Sequence, residues 1–565
     1  MLSSLILGTL DILTILQPVE SVSLRETMVF ADTLEIKLEL TVDKKTITIP
    51  GGNVQTIKLD LQPYGFTSVL TFLVSTRTEQ GDELFPFFIK HDLMKVRLVL
   101  EPRWEEGKAE PLVVQGLVTE KDILQEYVSE MARVRDDPVL YRHYRITFAD
   151  PARVLWCQYF PCDLMTNKSV KDLLEAHRGR SVSLNYDWDV LNKKYPINTL
   201  PLGVEEKEAS FYDFVVWLVS QNNGVLDYDS RKNQYTLSAS KDDRGKPVVP
   251  ERMEVEGFHI EFPQTSRHEV KVLNSYSEKP QRDDIEQDQA VAGVRHEQLV
   301  RFPIPGDFKE YASLEKEKLK NRQHEICLTF RRFPSQRHLP GCLVKFEGRG
   351  WSDKLYLRGK VYRVQSIGLE ASAVASEITG DHYGDYGRYN IDVRSRLELR
   401  SEDWVSLPSF TPPVFPIYVE GKVVSEQGGN DAETYQIYQD KKTSLDQYKV
   451  TIPLWDKQQV VVPFEPNFFT GHFYFPDYKN ARVLVALDFH SGRIERFLDW
   501  RAGARLPMDS QGNHMLLGKS AKSQTSLRYV YVDDKPVLEM KRTSGKDTEM
   551  IKMVEGNLIL ETKEE

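Results

Sequence analysis

Apolar and polar residues alternate with a period of two along much of the 565-residue chain, the pattern of strands with one covered face. Between residues 24 and 150 the runs "LEIKLELTVDKK", "VQTIKLDLQPYG", "MKVRLVLEPRW" and "EPLVVQGLVTEKD" show it, separated by Gly, Pro and Asp. They predict an antiparallel barrel or sandwich. The period then changes. "NKSVKDLLEAHRG" predicts a short amphipathic helix capped by Asn167 or Ser169. "ASFYDFVVWLVSQNNG" predicts a second helix, with Ser210 and Asp213 as a capping box and Gly224 as the left-handed residue at its end. "GVLDYDSRKNQYTLSAS" reads as a hairpin turning at Ser230 to Asn233. "SKDDRGKPVVPE" and "SEKPQRDDIEQDQA" read as polar loops. Strand character returns between 255 and 400, with one helix near "EYASLEKEKLKNRQHE", so two β units flank a small α/β insert. The Pro-rich "LPSFTPPVFP" marks a boundary at 407–416. Beyond it "IYVEGKVVSE", "DQYKVTIPLW", "GHFYFP", "ARVLVALDF" and "GRIERFLDW" suit a small Greek-key barrel of the OB type.

The last sixty residues alternate without any helix pattern, down to "MIKMVEGNLILETKEE". Fixing each residue costs about 1–2 kcal/mol of backbone entropy. A lone ribbon with two open faces and two open edges does not offset that cost. Copies of the chain wound together can, because alternate residues then share a core. Val530 and Val532, Leu538 and Met540, Ile551 and Met553, and Leu558 and Leu560 are the expected inward pairs, each with a one-residue ambiguity in facing. The turns "DDKP", "SGKD" and "EGN" argue against a disordered tail.

Composition narrows the function classes. A formal net charge of -10 disfavours a general nucleic-acid binder, which needs a basic face. Four cysteines in this length are no disulfide scaffold, and Cys157, Cys162, Cys327 and Cys342 read as small buried hydrophobes. The apolar start "MLSSLILGTLDILTILQPVE" lacks a basic flank and carries Asp11, so it reads as a docking segment rather than a signal or a membrane span. Gly518-Lys519-Ser520 lacks the glycine a phosphate loop needs at 513, where Asn513 stands. His268, His296 and His324 have no histidine four residues on, so the helical zinc motif is absent. Asp381, Asp385 and Asp392 sit among glycines and tyrosines as a turn, with a calcium loop the weaker reading. Tyr448, Trp455, Phe473 and Tyr474 in the OB unit have few basic neighbours, which favours core packing or protein contact. No catalytic residue, metal or cofactor is expected.

The order of these parts resembles the VgrG family, the spike proteins of type VI secretion and related contractile injection systems, which are similar to fused hub and needle proteins of phage tails. The resemblance rests on "ASFYDFVVWLVSQNNGVLDYDSRKNQYTLSAS", "LPGCLVKFEG", "LRGKVYRVQSIGLEA", "YGRYNIDVRSRLELR" with the Pro-rich crossing, and "ARVLVALDFHSGRIERFLDW". It implies a mainly β fold with a small α/β insert: two hub β-barrels, an OB-fold barrel and a C-terminal intertwined triple-stranded β-helix, or β-prism, needle. The expected units are a docking segment (1–23), a first hub barrel (24–164), an α/β insert (165–254), a second hub barrel (255–406), the OB domain (407–500) and the needle (501–565). The family implies a structural homotrimer that punctures membranes with only transient membrane contact. Implied partners are a hexameric Hcp-like tube protein, baseplate proteins and a PAAR-type tip protein or effector near Glu561 and Thr562. It also implies assembly in the bacterial cytoplasm and delivery outside the cell or into a target envelope on firing. The rival readings are a phage tail or tailocin hub-spike, a cell-wall-degrading enzyme with a β-solenoid tail, and an OB-type nucleic-acid binder.

Overall fold

The computed structural model describes residues 31–103, 110–134, 137–203, 208–276, 281–302, 304–348, 350–374, 384–426, 438–439, 441, 446–463, 479–498, 513–520 and 522–564. The expected docking segment 1–23 lies outside them.

The first unit contains β1 (Ala31–Val42), β2 (Lys45–Ile49), β3 (Val54–Gln62), β4 (Gly65–Arg77), the single turn α1 (Phe85–Phe88), β5 (Lys95–Pro102), β6 (Leu112–Val134) and β7 (Asp137–Ala149). The insert follows with α2 (Pro151–Trp156), β8 (Cys162–Ser169), α3 (Val170–His177), β9 (Ser183–Asp187), β10 (Lys194–Pro201), α4 (Phe211–Gln221), β11 (Val225–Asp229) and β12 (Gln234–Ser238). Next come β13 (Arg244–Val248), β14 (Val255–Glu261), β15 (Glu269–Asn274), β16 (Gln281–Ile285), β17 (Arg295–Val300), α5 (Pro305–Lys318), β18 (Glu325–Phe330), β19 (Cys342–Lys345), β20 (Val361–Ala373) and β21 (Tyr386–Leu399).

The two β units expected on either side of the insert share strands. Strands β20, β3, β4, β7, β6, β5, β1 and β21 pair in that order, and β21 returns to β20, closing a barrel. The late strands β20 and β21 thus complete the early sheet. Their other ends carry β19 with β13, and β18 with β14, as a second curved layer. Alternation sets which face is inside. On β1, Leu34, Ile36, Leu38, Leu40 and Val42 are all at most 3% exposed, while the intervening residues face outward. β13 and β16 fall in stretches read as polar loops. Both are marginal strands with mostly uncovered residues, so neither shows an apolar face in sequence. A satellite unit packs β16, β15 and β17 against α5 around Val270, Val272, Ile285, Phe308 and Ala312.

The insert's helices begin where their caps dictate. Ser169 and Asp172 form a capping box on α3, and Ser210 and Asp213 form one on α4. After α4 the left-handed residue is Asn223 (φ 55°), not Gly224. Glycine is needed at 224 for another reason: a Cβ there would come within 2.3 Å of the Trp188 ring. Of the cysteines, only Cys342 is buried; Cys157 and Cys162 are exposed and Cys327 is half-buried, because the first two lie in the turn and strand start after α2.

The third unit pairs β22 (Ile417–Val423), β23 (Tyr438–Gln439), β24 (Asp446–Ile452), β25 (Gln458–Pro463), β26 (Arg482–Leu487) and β27 (Gly492–Phe497) in the order β23-β24-β22-β26-β27, with β25 on β24. Strand β25, "QQVVVP", was missing from the sequence reading, and "GHFYFP" with Phe473 and Tyr474 lies outside the described residues. Strands β28 (Asn513–Ser520), β29 (Ser523–Val532), β30 (Lys535–Ser544), β31 (Asp547–Val554) and β32 (Asn557–Lys563) form a separate five-stranded meander. The chain is mainly β, as its alternation implied.

Candidate functional site

The C-terminal meander is the least covered part of the described structure. Its turns fix the register. Asp533 and Asp534 both have positive φ, as do Glu555 and Gly556, so both two-residue loops are of the type whose twist matches paired strands. Gly545 opens the third loop at φ 66°. The pairing aligns Tyr529, Leu538, Met553 and Leu558 across four strands, and Met515, Leu527, Met540, Ile551 and Leu560 across five. Directly paired residues share a face, so these rows make one continuous apolar surface.

Six of the eight expected inward residues belong to it. Leu538 is 37% exposed, Met540 48%, Ile551 43%, Met553 52%, Leu558 62% and Leu560 71%. Val530 and Val532 do not. They pair with Val537 and Lys535 and so point to the opposite face, one residue out of phase with the other pairs. Tyr529 and Tyr531, their neighbours, take the apolar side; the sequence reading missed both, although the same alternation contains them. The opposite face carries Arg528, Glu539 and Lys552 in one cross-strand row of alternating charge, and Val530, Val537 and Val554 in the next, with Val537 buried. Glu561 lies on that opposite face beside Met550, and Thr562 on the first face beside Glu549. All seven residues of β32 are exposed.

The junction between the insert and the third unit is packed with aromatic rings and tied by hydrogen bonds. Phe489 packs edge-on against Phe214 and Trp217, with Phe415 alongside. The Thr199 amide donates to the Phe489 carbonyl at 2.9 Å. Trp455 Nε1 donates to the Cys162 carbonyl at 3.2 Å, and the Thr166 amide and hydroxyl both donate to Gln458 Oε1. Tyr448 lies in the third unit's own core against Phe497. His490 stacks on Tyr195 with ring centroids 3.5 Å apart, and burial pushes its imidazole down to about 4. His338 is buried against Phe330 and its Nε2 meets Ser395 Oγ at 2.7 Å; burial holds it at about 3.

Of the suspected calcium loop, Asp381 lies outside the described residues. Asp392 pairs with Arg394 at 2.6 Å, and the Asp385 carbonyl accepts the Ile36 amide at 2.9 Å. The Asp385 contact ties the segment to β1, and the Asp392 carboxylate is engaged by Arg394. Among the described residues, one group of three mixed donors could hold a metal ion: His259, Glu261 and Cys327 on β14 and β18. No described helix is long and apolar enough to cross a membrane.

No family model and no curated protein matches the chain. Solved structures do. A chain of a PdpA-VgrG complex in its lidless form matches over 96% of this chain and 100% of its own, at 13% identity and TM-score 0.66. A chain of the lidded Francisella PdpA-VgrG complex matches over 95% of this chain and 80% of its own, at 14% identity and TM-score 0.68. The half-lidded form gives 14% and 0.66, over 94% and 89%. Likeness across nearly the whole length at so low an identity is likeness of fold, and the fold of this chain is VgrG-like.

Proposed function

We propose that this chain is the structural hub and spike of a contractile injection machine, acting as a homotrimer. The apolar surface of the C-terminal meander carries this reading. A soluble chain rarely leaves a continuous apolar face of this kind uncovered, and the outer edges of β28 and β32 have no strand partner among the described residues. Three copies cover the faces and pair the edges at once. The shared blade is then a stiff, fully hydrogen-bonded object suited to pushing through a membrane. The hub barrel offers its rim to a hexameric tube protein and to baseplate proteins. The third unit is an OB-type collar, locked to the hub by the Phe489 cluster so that thrust passes between them. Glu561 and Thr562, on the last strand, are the contact for a small tip protein or effector. The matching structures are complexes of PdpA with VgrG, which supports assembly of this spike with a partner protein as well.

The role is mechanical rather than enzymatic. It places the protein in the bacterial cytoplasm during assembly and outside the cell, or in a target envelope, on firing. Electron microscopy of the purified chain tests this. Threefold-symmetric particles with a broad head and a thin rod are expected; single-copy particles, or hydrolysis of peptidoglycan by the same preparation, would contradict it.

A further inference from the structure

The outermost strand of the hub's second layer brings together a mixed donor set. β14 pairs antiparallel with β18, with His259 directly opposite Cys327 and Glu261 opposite Glu325. β18 in turn pairs with β21, which places Arg396 opposite Cys327. All five side chains therefore rise from the same face of three neighbouring strands. His259 Nε2 lies 4.0 Å from Glu261 Oε1, and Cys327 Sγ lies 3.7 Å from Glu261 Oε2. The three donor atoms all fall within 4.8 Å of one another.

We propose that His259, Glu261 and Cys327 form a binding site for a divalent cation of the zinc class, clamping the edge strand β14 to β18. Tetrahedral zinc with bonds of about 2.0–2.3 Å sets its ligands about 3.3–3.8 Å apart. The observed separations come down to that range by small side-chain rotations, which two half-exposed side chains on a strand surface allow: His259 is 66% exposed and Glu261 44%. One imidazole, one carboxylate and one thiolate favour borderline metals over calcium or magnesium, which prefer oxygen alone. Water takes the fourth position.

Arg396 fits as the group that orients the carboxylate. Its Nη1 lies 3.0 Å from Glu261 Oε2 and 2.8 Å from Glu325 Oε2. The buried Glu325, which also pairs with Arg322, already matches this guanidinium. Glu261 is thus a second carboxylate on a charge that has its partner, held by one oxygen with the other turned toward His259. Nothing in the sequence flags the site, because Glu261 and Cys327 are 66 residues apart and only strand pairing joins them.

Cobalt(II) is the probe for the test, added to the purified full-length protein in its native assembly. We expect one cobalt ion per chain, with a thiolate-to-metal charge-transfer band in the near ultraviolet and tetrahedral bands in the visible, both displaced by zinc. Cys327→Ser should abolish the charge-transfer band. His259→Ala, at an exposed position that does not threaten folding, should weaken binding at least tenfold. Cys157→Ser with Cys162→Ser should change neither. Absence of a thiolate band, its survival in Cys327→Ser, or undiminished affinity in His259→Ala would overturn the proposal.

Discussion

The barrel strand β1 and the blade strand β30 carry the same alternation and meet opposite fates. On β1 the apolar residues are at most 3% exposed, whereas Leu538 and Met540 on β30 are 37% and 48% exposed. The difference is closure. The barrel sheet curls until β21 meets β20, and the insert's helices add to its core, so the apolar row of β1 is covered by the chain itself. The blade is an open meander of five strands with nothing described on its apolar side. Period-two patterning thus specifies that a face will be buried, but not whether the cover comes from the same chain.

The largest effect should come from charging the naked face. Leu538→Asp with Ile551→Asp puts two adjoining carboxylates on it, and buried unpaired charge is far costlier than a cavity. Oligomers should be lost entirely in sedimentation velocity, while the hub, which does not use this face, keeps its thermal transition. The same pair of substitutions on β1 would unfold the chain, which sharpens the contrast.

The next effect is at the collar junction. Phe489→Ala removes the ring between Phe214, Trp217 and Phe415 and should cost about 2–3 kcal/mol, below the 3–5 kcal/mol of a fully buried Phe because this ring is only partly covered. Limited proteolysis should then cut within the Pro-rich crossing at 407–416. The blade surface should be untouched.

Acid separates the regions in a third way. His490 and His338 are held neutral by burial, at about 4 and about 3 against an ordinary 6.5. The unfolded chain binds protons there that the folded chain refuses, so both sites lose stability as pH falls from about 6.5 toward those values. Denaturation midpoints of the hub and its collar junction should decline across that window. Replacing His490 with Phe, which keeps the stacking on Tyr195, should flatten part of the slope. The blade has no buried histidine among its described residues and should not follow.

The smallest effect is on the charged face of the blade. Lys552→Gln removes one member of the Arg528, Glu539 and Lys552 row and should shift stability by less than about 0.5 kcal/mol.

Particular residues show what the sequence could and could not say. Ser210 with Asp213 was legible because a capping box is local chemistry, whereas the first helix left Asn167 or Ser169 open as its cap, and the Ser169–Asp172 box decides it. The apolar rows of the blade were legible because alternation is local too, but Val530 and Val532 lie on the face opposite the other six. A hairpin's register depends on its turn, and the two-residue Asp533-Asp534 loop sets Val532 opposite Lys535. The sharing of β20 and β21 between both hub layers was invisible, since it joins strands some three hundred residues apart in sequence, such as Ser372 and Thr56. Gly224 was read as a backbone need and turned out to be a packing need beneath Trp188.

The central claim is that the blade's apolar face is covered by other copies of the same chain. Absolute mass by light scattering tests it most directly, on the full chain and on a chain cut after Pro507. The account predicts three copies for the full chain and looser or dissociated copies for the cut one. A full chain that remains a single copy at all concentrations would contradict it.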